Sequence, residues 1–426
     1  MDAIRVTRSG LHGTVRIPGS KSHTIRAVFM AALADGKSEI VAPLDSADTQ
    51  GAVRACRALG ARIEQLGDRW LVDGTGGIVR RPDHLIDVGN SGTSLRIAMG
   101  ASALLRDGDV LLTGDEQVRA RPAGPLIDSL NDLGAEVVSV EDTGRAPIRV
   151  RGRLSGGSTR ISCPTSQFLT SLLIACPFAD GASEITVTEL NERPYVDMTM
   201  RWLDRLGVTY DHDGYDRFSI PGGQHYAGFT ATIPADFSSA TFFICAAAIT
   251  ESKLILDGLD MTDTQGDKAV IDMVETMGAK VERGDGFVSV EGQPLKSAEF
   301  DLNATPDALP AMAVAACRAD GTTRLVNVPQ ARLKETDRIS VMREELSKMG
   351  AHIEEMSDGL IIEGGPLHGA HVDGHGDHRV VMALTCAGMA ADGETTVAGA
   401  ESVNITFPTF IAKMRQCGAS ISRVSI

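Results

Sequence analysis

The sequence predicts an α/β protein of two domains, built from six copies of one βαβαββ-type unit, three to a domain. Three observations carry that expectation. A glycine closes an amphipathic run at Gly60, Gly134, Gly207, Gly278, Gly350 and Gly418, which sets a period of roughly 70 residues. Upstream of each glycine stands a run that is apolar on nearly every side and rich in small residues. Between those two runs, and again after the glycine, lie short stretches with strand character.

The apolar runs are 27–36 (AVFMAALADG), 97–108 (IAMGASALLRDG), 168–181 (FLTSLLIACPFADG), 240–250 (ATFFICAAAIT), 309–321 (LPAMAVAACRADG) and 380–393 (VVMALTCAGMAADG). A helix without a polar face must be surrounded by protein, so these are core helices whose small residues allow close packing. None has the uninterrupted apolar length of a membrane span. Each enters a strand, in order SEIVAP, DVLLTG, SEITVT, KLILDG, TRLVNV and TTVAG. Amphipathic helices follow, as in LIDSLNDLG, VIDMVETMG and REELSKMG, where apolar residues recur at three and four. The closing glycine suits a helix C-cap. Alternating runs such as AKVERGDGFVSVEG then read as hairpins. Three units make a domain of about 200 residues, an ordinary size.

Polar and basic residues collect where these helices begin. Before the core helices stand Ser20-Lys21-Ser22 with Arg26, Asn90 to Thr93 with Arg96, Thr165-Ser166-Gln167, Asp236 with Ser238-Ser239, Pro306-Asp307, and Asp377-His378-Arg379. Before the amphipathic helices stand 45–48, 119–122, 192–195, 262–267, 334–338 and 404–408. Free backbone N–H groups and the positive end of the helix dipole make such places anion sites. Parallel core helices bring their N-termini to one face of each domain.

Composition narrows the function. A length of 426 residues with 43% hydrophobic content suits large cores, and a formal charge of −15 argues against nucleic-acid or anionic-membrane partners, which need a surplus of Lys and Arg. Cys56, Cys163, Cys176, Cys245, Cys317, Cys386 and Cys417 stand singly, mostly in apolar runs, as expected of buried thiols in a reducing compartment. The start MDAIRVTRSGLHG lacks the apolar core of a signal peptide, so a cytoplasmic protein is expected. No metal-ligand spacing surrounds His378, and the Gly-x-Lys-Ser at 19–22 lacks the upstream glycine of a P-loop, so no metal is expected.

The segments PGSKSHTIR (18–26), GNSGTSLR (89–96), RARPAGPL (119–126), TSQFLTSLL (165–173), RPYVDMT (193–199), PDALP (306–310), RLKETDR (332–338), DHRVVMA (377–383) and TFPTF (406–410) resemble, in order and spacing, the enolpyruvyl transferase family. The resemblance covers the whole chain. It implies a two-domain inverted α/β barrel in which the chain crosses between domains twice, near 19–21 and 234–240. One domain then spans 20–234, and the other joins 1–19 to 235–426. It implies transfer of the enolpyruvyl group of phosphoenolpyruvate to the 5-hydroxyl of shikimate 3-phosphate by addition and elimination, with release of phosphate. No cofactor is implied, and a monomer is expected.

By the same resemblance Lys21, Asn90, Gly92, Arg121, Gln167, Arg338 and Arg379 contact phosphoenolpyruvate. Lys21, Ser22, Arg26, Thr165, Ser166, Gln167, Asp307, Gln330 and Lys334 hold the phosphoshikimate, with Tyr195 beside its ring. Two unit charges about 4 Å apart repel by about 4 kcal/mol at an effective dielectric near 20, so two anionic reactants need fixed cations. Acid and base duties require carboxylates in different protonation states. Asp307 is the expected base, Glu335 the expected proton donor to carbon, and Lys21 the group that assists the leaving phosphate. Each also has a structural reading: Asp307 as an N-cap, Glu335 as a first-turn carboxylate, Tyr195 as a packing aromatic.

Some positions depart from the family pattern. Glu192 stands where a serine that helps hold the substrate phosphate is common, and is expected to turn away or to pair with a cation such as Arg193. Thr165 keeps the hydroxyl of a common serine, Gln330 can still donate, and Ile405 replaces a lysine found in some members. The rival enzyme reading is a transferase acting on UDP-N-acetylglucosamine, whose usual reactive cysteine is missing from 113–122. Other rivals are a transferase for another phosphorylated alcohol and a non-catalytic ring of repeated units.

Overall fold

All six period-marking glycines occupy the left-handed region, with φ of 109° at Gly60, 101° at Gly134, 69° at Gly207, 114° at Gly278, 91° at Gly350 and 102° at Gly418. Each follows an amphipathic helix, at Ala47–Ala58, Gly124–Asp132, Arg193–Arg205, Ala269–Met277, Arg338–Lys348 and Phe410–Gln416. The computed structural model describes residues 2–425.

The core helices are Lys21–Leu33, Gly92–Ser102 and Gln167–Ala175 in one half of the fold, and Phe237–Ile249, Leu309–Cys317 and His378–Ala390 in the other. They start earlier than the apolar pattern in several units, at Lys21 rather than 27 and at Gly92 rather than 97. The first turns carry polar side chains that are buried and bonded, so hydropathy alone misses them. Arg26 and Arg96 are both buried. The strands follow each core helix, at Lys37–Val41, Asp109–Thr113, Ser183–Leu190, Lys253–Asp257, Thr322–Val326 and Glu394–Ala398.

Among the described residues there are six four-stranded sheets with one shared pattern and a small two-stranded one. In each four-stranded sheet the strand after the core helix pairs in parallel with one neighbour and antiparallel with the other, which in turn carries a fourth, antiparallel strand. Thus Lys37–Val41 runs parallel to Thr230–Thr232 and antiparallel to Arg69–Asp73, with Ile40 opposite Trp70. The parallel partner comes from the end of this half of the chain, which closes its ring of units. In the same way His12–Arg16 pairs in parallel with Lys253–Asp257, and Asp2–Thr7 lies between Glu394–Ala398 and Ile421–Ser425.

The chain divides into two compact units, residues 19–233 and the two flanking segments up to Pro18 and from Pro234 onward. Each has its own apolar core. Within 19–233 the core helices run side by side in the same direction: Ser171 Oγ donates to Arg96 O at 2.6 Å, and Arg26 Nη2 to Thr170 Oγ1 at 3.1 Å, pairing early turns with early turns. Gly100 permits this approach, since a Cβ there would lie 2.8 Å from Ser171 O. In the other unit the three core helices also meet, with Cys245 Sγ 3.9 Å from Met312 Sδ and Cys386 Sγ 3.4 Å from Phe242 O. Close packing of small residues therefore brings the polar helix starts of each unit together.

Candidate active site

In residues 19–233 the helix starts gather cations. Lys21 opens its helix and places Nζ 3.1 Å from Asp48 Oδ2, in the first turn of Ala47–Ala58. At the next start, Gly92 has no Cβ because one would lie 2.6 Å from Arg121 Nη1 and 2.9 Å from Arg96 Nη1. Arg96 is anchored by Gly92 O and Pro122 O, at 3.3 and 2.9 Å. Asn90 donates to Asp115 Oδ2 and Gln117 Oε1, both at 2.6 Å. Bare backbone beneath two guanidinium groups makes a strongly electropositive helix start.

Arg26 lies deeper. Its guanidinium donates to Thr199 Oγ1 at 2.9 Å, Tyr195 O at 2.9 Å, Thr170 Oγ1 at 3.1 Å and Ser22 O at 3.1 Å. Burial lowers its pKa to about 10 against the pull of Tyr195 and Glu192. These contacts make Arg26 the tie between two core helices and the half-buried Tyr195. Ser22, Thr165 and Gln167 are also half-buried, and Ser166 is buried at the start of Gln167–Ala175.

In the other unit Arg338, buried at the start of Arg338–Lys348, gathers three carboxylates. Nε lies 2.7 Å from Asp377 Oδ2, Nη1 2.7 Å from Asp307 Oδ1, and Nη2 meets both Glu335 Oε2 and Asp377 Oδ1. Burial works against its charge, but Asp377, Glu335 and Asp307 outweigh that and push the guanidinium pKa above its ordinary value. Arg379 Nη2 sits 3.0 Å and Lys334 Nζ 4.0 Å from Asp307. Asp377 caps its own helix through the Arg379 N–H at 2.9 Å and accepts from Thr336 Oγ1 at 3.1 Å. Three cations and three carboxylates thus form one balanced cluster, with five of the residues expected from the sequence among its catalytic or substrate-binding groups and two unforeseen in that role. Those are Asp377, legible only as part of a helix start, and Thr336.

Glu344, Glu345 and His375 bring ligand atoms within 4.8 Å of one another. Lys348 already provides the cation there, with Nζ 2.7 Å from Glu345 Oε1 and 3.4 Å from Glu344 Oε1. The chemistry of this group is that of an ion-pair brace.

A model of the EPSP synthase family, described as 3-phosphoshikimate 1-carboxyvinyltransferase, matches residues 6–414. The chain belongs to the EPSP synthase family. It is 54% identical to the 3-phosphoshikimate 1-carboxyvinyltransferase of Acetivibrio thermocellus over 419 residues, covering 98% of this chain and 99% of that one. The enzyme of the same name from Ruminiclostridium cellulolyticum is 49% identical over 421 residues, covering 99% and 100%. A solved EPSP synthase from Acinetobacter baumannii has a TM-score of 0.85 at 29% identity, with both chains covered completely.

For an EPSP synthase family member, Glu192 is the unexpected feature. It neither turns away nor pairs with Arg193, which instead lies over the Tyr215 ring at 5.1 Å. The carboxylate is buried, and Oε2 accepts from Ser166 N at 3.1 Å, Ser166 Oγ at 2.8 Å and Thr165 Oγ1 at 3.1 Å. A helix start with three converging donors attracts an anion more strongly than an exposed arginine does, and that decides its direction. Gln330 is buried and donates to Asn303 O at 2.9 Å. Ile405 ends the short 3-10 segment Ala400–Ile405.

Proposed function

We propose that this chain transfers the enolpyruvyl group of phosphoenolpyruvate to the 5-hydroxyl of shikimate 3-phosphate and releases phosphate. The observation that carries the reading is the cluster around Arg338, where Asp307, Glu335 and Asp377 share one buried guanidinium beside Arg379 and Lys334. The reaction needs fixed positive charge for anionic substrates, a carboxylate able to take a proton, and a second one able to give it.

Asp307, flanked by Arg338 and Arg379, suits the base that takes the proton of the attacking hydroxyl. The hydroxyl oxygen then bonds to C2 of phosphoenolpyruvate while C3 gains a proton, giving a tetrahedral intermediate. Glu335 suits the donor. A cluster in which positive and negative groups already balance becomes net negative when an anionic substrate arrives, and that favours proton uptake by one carboxylate. In the second stage C3 returns its proton as the bond from C2 to the phosphate oxygen breaks, and the Lys21 ammonium assists the leaving phosphate.

On this reading Lys21, Asn90, Gly92, Arg121, Gln167, Arg338 and Arg379 serve phosphoenolpyruvate, while Lys21, Ser22, Arg26, Thr165, Ser166, Gln167, Tyr195, Asp307, Gln330 and Lys334 serve the phosphoshikimate. Arg338 and Arg26 act chiefly by fixing their neighbours, since most of their donors are already engaged. We take the working form to be a single chain in the cytoplasm; seven buried thiols, all with pKa raised by burial, fit a reducing compartment. Phosphate release from phosphoenolpyruvate, measured with shikimate 3-phosphate and separately with UDP-N-acetylglucosamine, tests the reading. Release with the first alone supports it, and release with the second alone overturns it.

A further inference from the structure

We propose that Glu192 is a resident anion: its carboxylate occupies the donors that receive the substrate phosphate and must be displaced for that phosphate to bind, so this residue sets affinity for the phosphorylated substrate. The inference rests on the reading that Thr165 and Ser166 hold the phosphate of shikimate 3-phosphate. Its own support lies in the carboxylate's geometry.

One oxygen of Glu192 takes the Ser166 N–H, the Ser166 hydroxyl and the Thr165 hydroxyl. Those groups lie at the start of Gln167–Ala175, where the helix dipole adds positive potential. A phosphate oxygen is recognised by that same combination of one backbone amide and two hydroxyls at a helix start. Two anions cannot accept the same three hydrogens at once.

Glu192 shares the left-handed turn found just after the corresponding strand in other units, at Ala42, Gly258, Asn327 and Gly399. It stands at the N-cap of Arg193–Arg205 with φ 61° and ψ 41°, a left-handed conformation uncommon for a side chain of this size. A capping residue ordinarily has an extended backbone and bonds the N–H groups of its own helix. Glu192 does neither, and reaches instead to the start of a different helix. The charge of Arg26 also favours the carboxylate where it lies. The site is therefore already neutralised from within, and an incoming phosphate gains only the difference between its own interactions and those of the carboxylate it expels.

Three proteins test this: wild type, Glu192→Gln and Glu192→Ser. Removing the resident charge is expected to lower the KM for shikimate 3-phosphate by about tenfold or more in Glu192→Ser and by a smaller factor in Glu192→Gln, whose amide oxygen still competes. The KM for phosphoenolpyruvate is expected to stay within about twofold in both. A KM for shikimate 3-phosphate that is unchanged or raised in both variants overturns the proposal and makes Glu192 a structural brace. If Glu192→Ser loses its cooperative thermal transition, the isosteric Glu192→Gln decides alone by the same criterion. Calorimetric titration with inorganic phosphate separates this inference from the assigned reaction. Phosphate binding that is stronger in the variants than in wild type supports a resident anion even if shikimate 3-phosphate is not turned over, and equal or weaker binding in the variants overturns it.

Discussion

Arg338 holds three carboxylates with one buried guanidinium, and no other side chain can reproduce that arrangement. Lysine keeps the charge but offers a compact ammonium in place of a planar fork, so Arg338→Lys is expected to reduce kcat by about 100-fold or more. Arg338→Met leaves Asp307, Glu335 and Asp377 facing one another, and is expected to lower stability by about 3–5 kcal/mol in urea unfolding. Asp307→Asn tests the proton transfer itself: shape and a contact to Arg338 remain, while kcat is expected to fall by about 10²–10⁴-fold with the unfolding midpoint nearly unchanged. A full-rate Asp307→Asn enzyme would move the base elsewhere. The types of residue in this cluster were legible in RLKETDR and DHRVVMA. Their mutual distances were not, because a single sequence identifies helix starts without saying which carboxylate meets which cation. Glu192 shows the same limit: its charge was plain, but the pull of three donors on another helix could not be read along the chain.

The helix Arg338–Lys348 is fastened at both ends to the segment that carries Asp377. Arg338 grips Asp377 at one end; near the other, Glu345 Oε2 accepts the Asp373 N–H at 2.9 Å and Oε1 lies 2.7 Å from His375 Nε2. Burial tends to raise the Glu345 carboxyl, but Lys348, His375 and the Asp373 N–H prevail and hold it below its ordinary value of 4.5. The unfolded chain then binds that proton more readily than the folded one. Glu345 therefore contributes its full stabilisation above pH 4.5 and loses it as pH falls through the lower folded value. The difference in Tm between wild type and Glu345→Gln should be largest near neutral pH and close under acid conditions; a gap independent of pH would assign the effect to packing. Glycines give a second comparison between elements. Gly207 has φ 69° and open space around a new Cβ, so Gly207→Ala meets only the left-handed backbone term, about 1–2 kcal/mol. Gly100→Ala drives a methyl against Ser171 O between two core helices, and its loss in urea unfolding should exceed that of Gly207→Ala. The period of apolar residues made both kinds of helix legible, whereas the early turns at Lys21 and Gly92 escaped it because buried polar groups there break the pattern.

The six sheets share one pairing pattern, yet the chain does not build them in simple sequence order. Strand His12–Arg16 precedes the unit 19–233 but pairs with Lys253–Asp257, and Thr230–Thr232 closes the ring begun at Lys37–Val41. The repeat was visible in sequence from its glycines; this exchange of first strands depends on long-range pairing, for which local pattern carries no signal. It makes the two units unequal when separated. Residues 19–233 contain every strand of their own sheets and a complete apolar core, so that fragment is expected to fold alone with a cooperative thermal transition. A fragment beginning at Pro234 lacks Asp2–Thr7, which fills the place between Glu394–Ala398 and Ile421–Ser425, and lacks His12–Arg16 at the edge of a second sheet. Losing the middle strand removes hydrogen bonds on both sides and takes Ile4 and Val6, both buried, out of this unit's core. That fragment is expected to lack a cooperative transition by circular dichroism, and to gain one when a peptide of residues 1–18 is added, because the peptide restores both strands without a covalent link. Cooperative folding of the fragment without the peptide would show that the exchanged strands are dispensable ornaments of the sheets, and a failure of 19–233 to fold alone would mean that its closed ring still depends on the other unit.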